Sequence, residues 1–184
     1  MSASLLSIEQ FIERLNHFAM LEFPVRDVHR FLKDSSLAPD ELRPYSFETA
    51  EGYARNLVHK SPEFELLVVV WAPKAASPIH GHEGEKCWSR VEKGELRFTN
   101  YRERTVLNTF DLEMISERIG GPGHLDGPAD IHKVENLTRE PAVTLHIYSR
   151  PYEACDIYDM EQRCKLRRTM SYHSKYGTPV PVDN

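Results

Sequence analysis

The stretch Pro78–Gly94, PIHGHEGEKCWSRVEKG, decides how the chain is read. His80 and His82 stand two apart, and a β-strand turns residues i and i+2 to the same face. An extended His-x-His therefore holds two imidazoles side by side, where one nitrogen of each can reach a single cation. A third histidine, His132, lies far along the chain in IHKVEN. Two ligands close in sequence and one distant is how strands of a barrel or sandwich assemble a metal site. With nine histidines in the chain, a chance His-x-His pair is common, so spacing alone leaves the metal reading and a bland structural one open. Three neutral imidazoles without a carboxylate suit iron, zinc, copper or nickel better than magnesium or calcium, and do not name the metal. Three protein ligands leave coordination positions free, as catalysis requires.

The chain around this stretch is mostly strand. YARNLVH from Tyr53 alternates partly, and FELLVVVWA at 64–72 is a continuous β-rich run that suits a strand buried on both faces. Further strands are expected at 78–82, 86–92, 95–102, 105–110 and 112–117, then at IHKVEN, AVTLHIYS, CDIYDM and RRTMSYHS. The Gly- and Pro-rich segment 119–130 reads as a loop. Before the strands come helices. Ser7 and Gln10 form a capping-box pattern, followed by Ile8, Phe11, Ile12, Leu15, Phe18 and Ala19 at helical spacing. Pro24 ends that helix, a second covers 26–33, and a short third runs from Pro39 to Arg43. Residues 1–184 are thus expected to form one domain, with a helical cap (1–45) on a mainly β barrel or sandwich (46–184).

Composition narrows the class. The chain has 184 residues, 40% hydrophobic and 28% charged, with a net charge of −5. This fits a soluble globular protein, and a monomer is the simplest expectation. No long basic run exists, so nucleic acid is not an expected partner. The longest apolar run is far too short for a bilayer. The N-terminus acquires acids too early for a signal peptide, so a cytoplasmic location is expected. Three cysteines, Cys87, Cys155 and Cys164, fit neither a disulfide framework nor a zinc ribbon.

Two other patterns carry chemistry. In AVTLHIYS, Thr144, His146 and Tyr148 share one strand face, and Val143, Leu145 and Ile147 share the other. Turned inward, the polar three must satisfy one another, which makes a Thr144–His146–Tyr148 relay; turned outward, they are a solvated stripe. Tyr53 and Arg55 also have strand spacing. An arginine there is either a surface charge or, facing the interior, a cation that requires an anion. Arg matches a carboxylate with two parallel hydrogen bonds.

The motifs resemble a known superfamily. His80, His82, Cys87 and Gly94 follow HxHx(4)Cx(6)G, similar to the first cupin motif with Cys87 where a glutamate ligand usually falls. His132 to Asn136 follows Hx(3)N, like the end of the second cupin motif, although the stretch before it reads GPADIH. The resemblance implies a cupin-type, jelly-roll-like fold. More closely, YARNLV, the run ending at Trp71, SPIHGHEGEKCW, IHKVENLT, VTLHIYSRPYEAC and TMSYHSKYG resemble the cysteine dioxygenases, in family order from about residue 53 to 177.

That resemblance implies an enzyme of cysteine catabolism and taurine biosynthesis. It would oxidise L-cysteine with O2 to cysteine sulfinic acid at one Fe(II) per chain, held by His80, His82 and His132. Arg55 would bind the substrate carboxylate, with Tyr53 beside it. Tyr148 would lie near the metal, served by His146 and Thr144, the latter in place of the usual serine. Cys87 would form a thioether with Tyr148, as in the animal-type members. Arg150 stands where the family often has the first of two prolines, which leaves the cis peptide of that position open. Other readings are a dioxygenase for 3-mercaptopropionate or cysteamine, a non-enzymatic ligand-binding cupin, and a zinc isomerase.

Overall fold

The computed structural model describes residues 4–106 and 109–181. Strand β1 (Ser4–Leu6) leads into helix α1 (Ile8–Ala19), whose capping box is present: Ser7 Oγ accepts from the Gln10 N–H, and Gln10 Oε1 from the Ser7 N–H. Helix α2 (Val25–Asp34), strand β2 (Ser35–Leu37), a short α3 (Pro39–Leu42) and a 3-10 turn at Arg43–Tyr45 follow. The parallel pairing of β1 with β2 has no signal in the sequence, because three residues carry no readable period.

The rest is strand: β3 (Tyr53–Lys60), β4 (Glu65–Trp71), β5 (His80–Gly81), β6 (Lys86–Lys93), β7 (Leu96–Val106), β8 (Thr109–Gly120), β9 (Leu125–Ala129), β10 (Ile131–Asn136), β11 (Ala142–Ser149), β12 (Ala154–Asp159), β13 (Cys164–Thr169), β14 (Ser174–Lys175) and β15 (Thr178–Pro179). They form two sheets, ordered β13-β12-β5-β10-β7-β8 and β15-β14-β3-β4-β11-β6-β9. The sheets face each other without closing, so the mainly β fold is the sandwich rather than the barrel form.

Several boundaries differ from expectation. The candidates at 105–110 and 112–117 merge into one long hairpin of β7 with β8; residues 107 and 108 lie outside those described. The segment 119–130 is not all loop. Its first two residues complete β8, and β9 pairs with β6. Gly127 and Pro128 disguise β9, but β9 is an edge strand, where the missing Pro N–H costs no ladder bond. The last expected strand, at 167–174, starts earlier and is split between β13 and β14.

The central strands of the seven-stranded sheet are buried on both faces. On β4, Leu66, Val68 and Val70 join the helices in one core with Phe11, Leu15, Phe18 and Leu32. Leu67, Val69 and Trp71 point the other way and meet Leu96, Phe98 and Val134 of the second sheet. This is why FELLVVVWA has no polar alternation. Arg90 ties the cap to the sheet. Its Nη1 donates to the carbonyls of Leu32 and Ser35, each at 2.8 Å, at the C-terminal end of α2 where a cation is favoured.

Two motif residues have structural roles. Gly94 has φ of +82°, and a Cβ there would fall 2.7 Å from that of Ala142. Asn136 donates to the carbonyls of Ala72 and Glu140, at 3.1 and 2.8 Å, and locks the β10–β11 connection.

Phe11 is fully buried, 5.0 Å from the Phe31 ring and beneath the Arg90 guanidinium. We expect Phe11→Ala to lower the free energy of unfolding in urea by about 3–5 kcal/mol. A loss below about 1 kcal/mol, the ordinary effect of a surface change, would mean that the cap does not share the core of the sheet.

Candidate active site

The three histidines are brought to one point by strand pairing. β5 pairs antiparallel with β10, and His80 is the direct register partner of His132. His82 follows two residues after His80. Their ring centroids are 4.6 to 5.1 Å apart, and one ligand atom from each lies within 4.8 Å of the others.

The other ring nitrogen of each histidine is turned to an acceptor. His80 Nδ1 is 3.1 Å from the Pro78 carbonyl, and His82 Nδ1 is 2.9 Å from that of Ala129. His132 Nδ1 is 3.5 Å from Asp126 Oδ2, an electrostatic contact too poorly aligned for a hydrogen bond. Asp126 is held in place by Asn100 Nδ2 at 2.9 Å. Burial opposes the charge of Asp126, but the contacts of His132 and Asn100 outweigh it, and its pKa is lowered. Such partners orient ligand imidazoles in metal sites.

The inward nitrogens are unpaired. Nε2 of His82 and of His132 is buried with no hydrogen-bond partner. Burial, reinforced by neighbouring His132, lowers the pKa of His80 to about 3. Burial and the other two histidines drive His82 well below its usual value. Both are neutral bases, the form that binds metal. Buried polar atoms are normally satisfied, so these nitrogens fit a metal ion. Three histidines and no carboxylate form the cluster.

Beside the cluster lies a cavity of about 20 Å³, lined by His80, His132, Arg55, Tyr53, Tyr148 and Met170 among others. A larger depression of about 450 Å³, beside Asn100, Ile115 and Pro128, contains none of the three histidines.

The sequence left the direction of the polar stripe on β11 open; it faces inward. Thr144 Oγ1 is 2.8 Å from His146 Nε2, and Tyr148 Oη is 3.1 Å from His146 Nδ1. Trp71 Nε1, which can only donate, donates to Thr144 Oγ1 at 2.8 Å. Among the described contacts His146 Nε2 is the acceptor left for the threonine proton, and in that tautomer His146 Nδ1–H donates to the Tyr148 oxygen. The Tyr148 proton is left free for another acceptor. Burial and the histidines His132 and His80 push His146 well below its usual pKa, which keeps it neutral. Burial, together with Cys87, pushes Tyr148 well above the usual phenol range. Cys87 sits directly opposite Tyr148 in register, fully buried, and burial raises its thiol pKa as well.

Arg55 faces inward too. Its anion is Glu65, fully buried, with Oε1 3.3 Å from Arg55 Nη2. Tyr172 donates to Glu65 Oε2 at 2.5 Å. Arg55 Nη1 donates to the Ser171 carbonyl at 3.1 Å. His173 has a place that its sequence context did not supply: its Nδ1 accepts from the Arg55 backbone N–H at 3.1 Å, and its own N–H donates to the Arg55 carbonyl at 2.8 Å. Tyr53 stacks 4.8 Å from Trp71 on the same cavity wall. The peptide Ser149–Arg150, which the sequence left open, is cis without a proline.

Sequence reasoning missed Glu65, Tyr172, Asp126 and Trp71 as members of the site. Glu65 had a signal, a lone carboxylate opening a strand buried on both faces. Asp126 had none, inside a stretch that read as loop.

A sequence profile described as cysteine dioxygenase type I matches residues 2–161. The chain belongs to that family. Cysteine dioxygenase type 1 of Homo sapiens is 30% identical over 169 residues, covering 89% of this chain and 84% of its own. That of Bos taurus is 31% identical over 171 residues with the same coverage. Among solved structures, TT1209 from Thermus thermophilus is similar with 24% identity and a TM-score of 0.48, covering 60% of this chain and 95% of that one. A cupin domain of an XRE-family transcriptional regulator from Enterobacter cloacae shows 17% identity and a TM-score of 0.42, covering 55% and 100%. Membership makes this chain a dioxygenase with a metal-competent three-histidine group. No helix among the described residues is long and apolar enough to cross a membrane.

After chelator treatment, the protein should rebind one divalent ion per chain, measured by equilibrium dialysis and elemental analysis. His82→Ala should abolish binding, and Asp126→Asn should weaken it by about tenfold or more through the loss of ring orientation. Undiminished binding in His82→Ala would remove this cluster as the metal site.

Proposed function

We propose that this chain oxidises L-cysteine with dioxygen to cysteine sulfinic acid, using one ferrous iron held by His80, His82 and His132. The observation that carries the reading is the shared cavity: His80 and His132, the latter with an unpaired Nε2, line the same small space as Arg55. Bound iron would supply a docking point for the substrate sulfur and the activation of dioxygen. The reaction balances as one thiol and one O2 giving one sulfinic acid, so no organic cofactor or external reductant enters. Substrate and dioxygen are the partners, and we place the enzyme in the cytoplasm as a monomer acting in cysteine catabolism and taurine biosynthesis.

The protein's share is orientation. Arg55 binds the substrate carboxylate, which fixes the distance between carboxylate and sulfur. Tyr53 packs beside it. Tyr148 offers its free hydroxyl proton to the reacting end of the substrate, since the relay through His146, Thr144 and Trp71 leaves that proton unused. Apolar walls from Val69 and Val134 limit water in the cavity.

Cys87 and Tyr148 support a second proposal within the same site, a thioether between Sγ and the phenol ring. Its formation removes one hydrogen from the thiol and one from the ring, and both pass with their two electrons to dioxygen, leaving hydrogen peroxide. Their cross-strand register and joint burial favour it, since no other thiol faces Cys87 on the paired strands.

Oxygen consumption tests the main reading. The iron-loaded protein should consume dioxygen with L-cysteine and much more slowly with 3-mercaptopropionate or cysteamine. Arg55→Lys keeps a charge for Glu65 but loses the planar fork. It should raise the half-saturating L-cysteine concentration by about tenfold or more, with iron content unchanged. Unaltered saturation would remove Arg55 from the carboxylate role. For the cross-link, purified protein should run as two bands on a denaturing gel, and Cys87→Ser as the slower one alone. A single band after turnover, with Cys87 fully alkylated, would contradict the link.

A further inference from the structure

Glu65 opens β4 and has no solvent exposure. It lies on the inward face with Leu67, Val69 and Trp71, in register with Tyr148 on one side and Lys60 on the other. A carboxylate in such a place is costly unless paired. Its pairing is split. Oε1 faces Arg55 Nη2 at 3.3 Å, and Oε2 accepts the Tyr172 hydroxyl at 2.5 Å. Lys60 Nζ donates to the Tyr172 oxygen at 3.3 Å, which leaves the phenol proton for Glu65. The Tyr172 ring also lies 5.2 Å from the Arg55 guanidinium carbon.

Glu65 is the single carboxylate in ion-pair contact with Arg55 among the described residues. Arg55 lines the cavity beside His80, His132 and Tyr148, whereas Glu65 is not part of the cavity wall. The guanidinium is therefore held between a resident anion on the buried side and the open space on the other. It carries one positive charge. A ligand carboxylate entering the cavity must share that charge with Glu65.

We propose that Glu65 is a specificity-determining residue, the internal counter-ion against which a substrate carboxylate competes for Arg55. The proposal rests on the reading of Arg55 as the carboxylate-binding residue. In the free protein Glu65 keeps the buried guanidinium neutralised and in place. In the complex it weakens the hold on any acid, so affinity for carboxylate-bearing thiols is set below what Arg55 alone would give. Tyr172 moderates this effect by drawing charge to Oε2. The two residues act in opposite directions on the same equilibrium.

The test is calorimetric titration of the iron-loaded protein without oxygen, where the thiols bind but do not react. Glu65→Gln keeps the shape and an amide oxygen for Arg55 while removing the charge. It should bind L-cysteine and 3-mercaptopropionate roughly tenfold more tightly, and cysteamine, which has no carboxylate, with unchanged affinity. Its thermal stability without ligand should fall and be restored by L-cysteine. Tyr172→Phe keeps the ring over Arg55 and removes the hydroxyl, so L-cysteine should bind more weakly. Equal or weaker L-cysteine binding by Glu65→Gln, with Arg55→Lys still impaired, would overturn the competition and leave Glu65 a positioning residue only. Wild-type affinity in Arg55→Lys would instead overturn the carboxylate reading beneath it. If Glu65→Gln does not fold, Tyr172→Phe decides, and unchanged or tighter binding there overturns the proposal.

Discussion

A strand covered on both faces must serve two interiors at once, and the seven-stranded sheet is built on that constraint. One face belongs to the helices, the other to the second sheet. Because side chains alternate with a period of two, the central residues of β3, β4, β6 and β11 are committed to one interior or the other. A slip of one residue would exchange the two sets. It would bury Val143, Leu145 and Ile147 at the reacting centre and press Thr144, His146 and Tyr148 against the helices. The aliphatic face packed on α1 and α2 thus holds the polar face in register.

The polar face works because nearly every group on it already has a partner. Trp71, Thr144, His146 and Tyr148 form a chain with one direction. The Arg55 guanidinium contacts Glu65 and the Ser171 carbonyl, and its backbone is held by the ring and the backbone N–H of His173. Among those that have none, together with the Tyr152 hydroxyl beside Tyr148, are the Nε2 atoms of His82 and His132. In a low-dielectric interior an unpaired polar atom is costly, and the two converge with a third imidazole. Preorganised groups around one unsatisfied point are the arrangement by which a site spends little reorganisation when charge develops.

Much of this was legible in the sequence. The His-x-His spacing and the distant His132 pointed to the histidine cluster, and the alternation in AVTLHIYS to the relay, although not which way it faced. The capping box and helical spacing located the cap. The partners of Arg55 were harder. Glu65 stands as a lone carboxylate in an otherwise apolar run, and its partners come only from packing, Tyr172 lying more than a hundred residues away in the chain. His173 contributes through a parallel pairing of β14 with β3, a long-range contact without local signature. β9 was hidden by Gly127 and Pro128, whose turn chemistry outweighs a five-residue edge strand in any local reading.

The central claim is that both atoms of dioxygen pass to a sulfur held between the three imidazoles and Arg55. Mass spectrometry of the product formed from L-cysteine under isotopically heavy dioxygen in ordinary water tests it most directly. We expect cysteine sulfinic acid carrying two heavy oxygens. A product with one heavy oxygen or none, or cystine alone, would contradict the account.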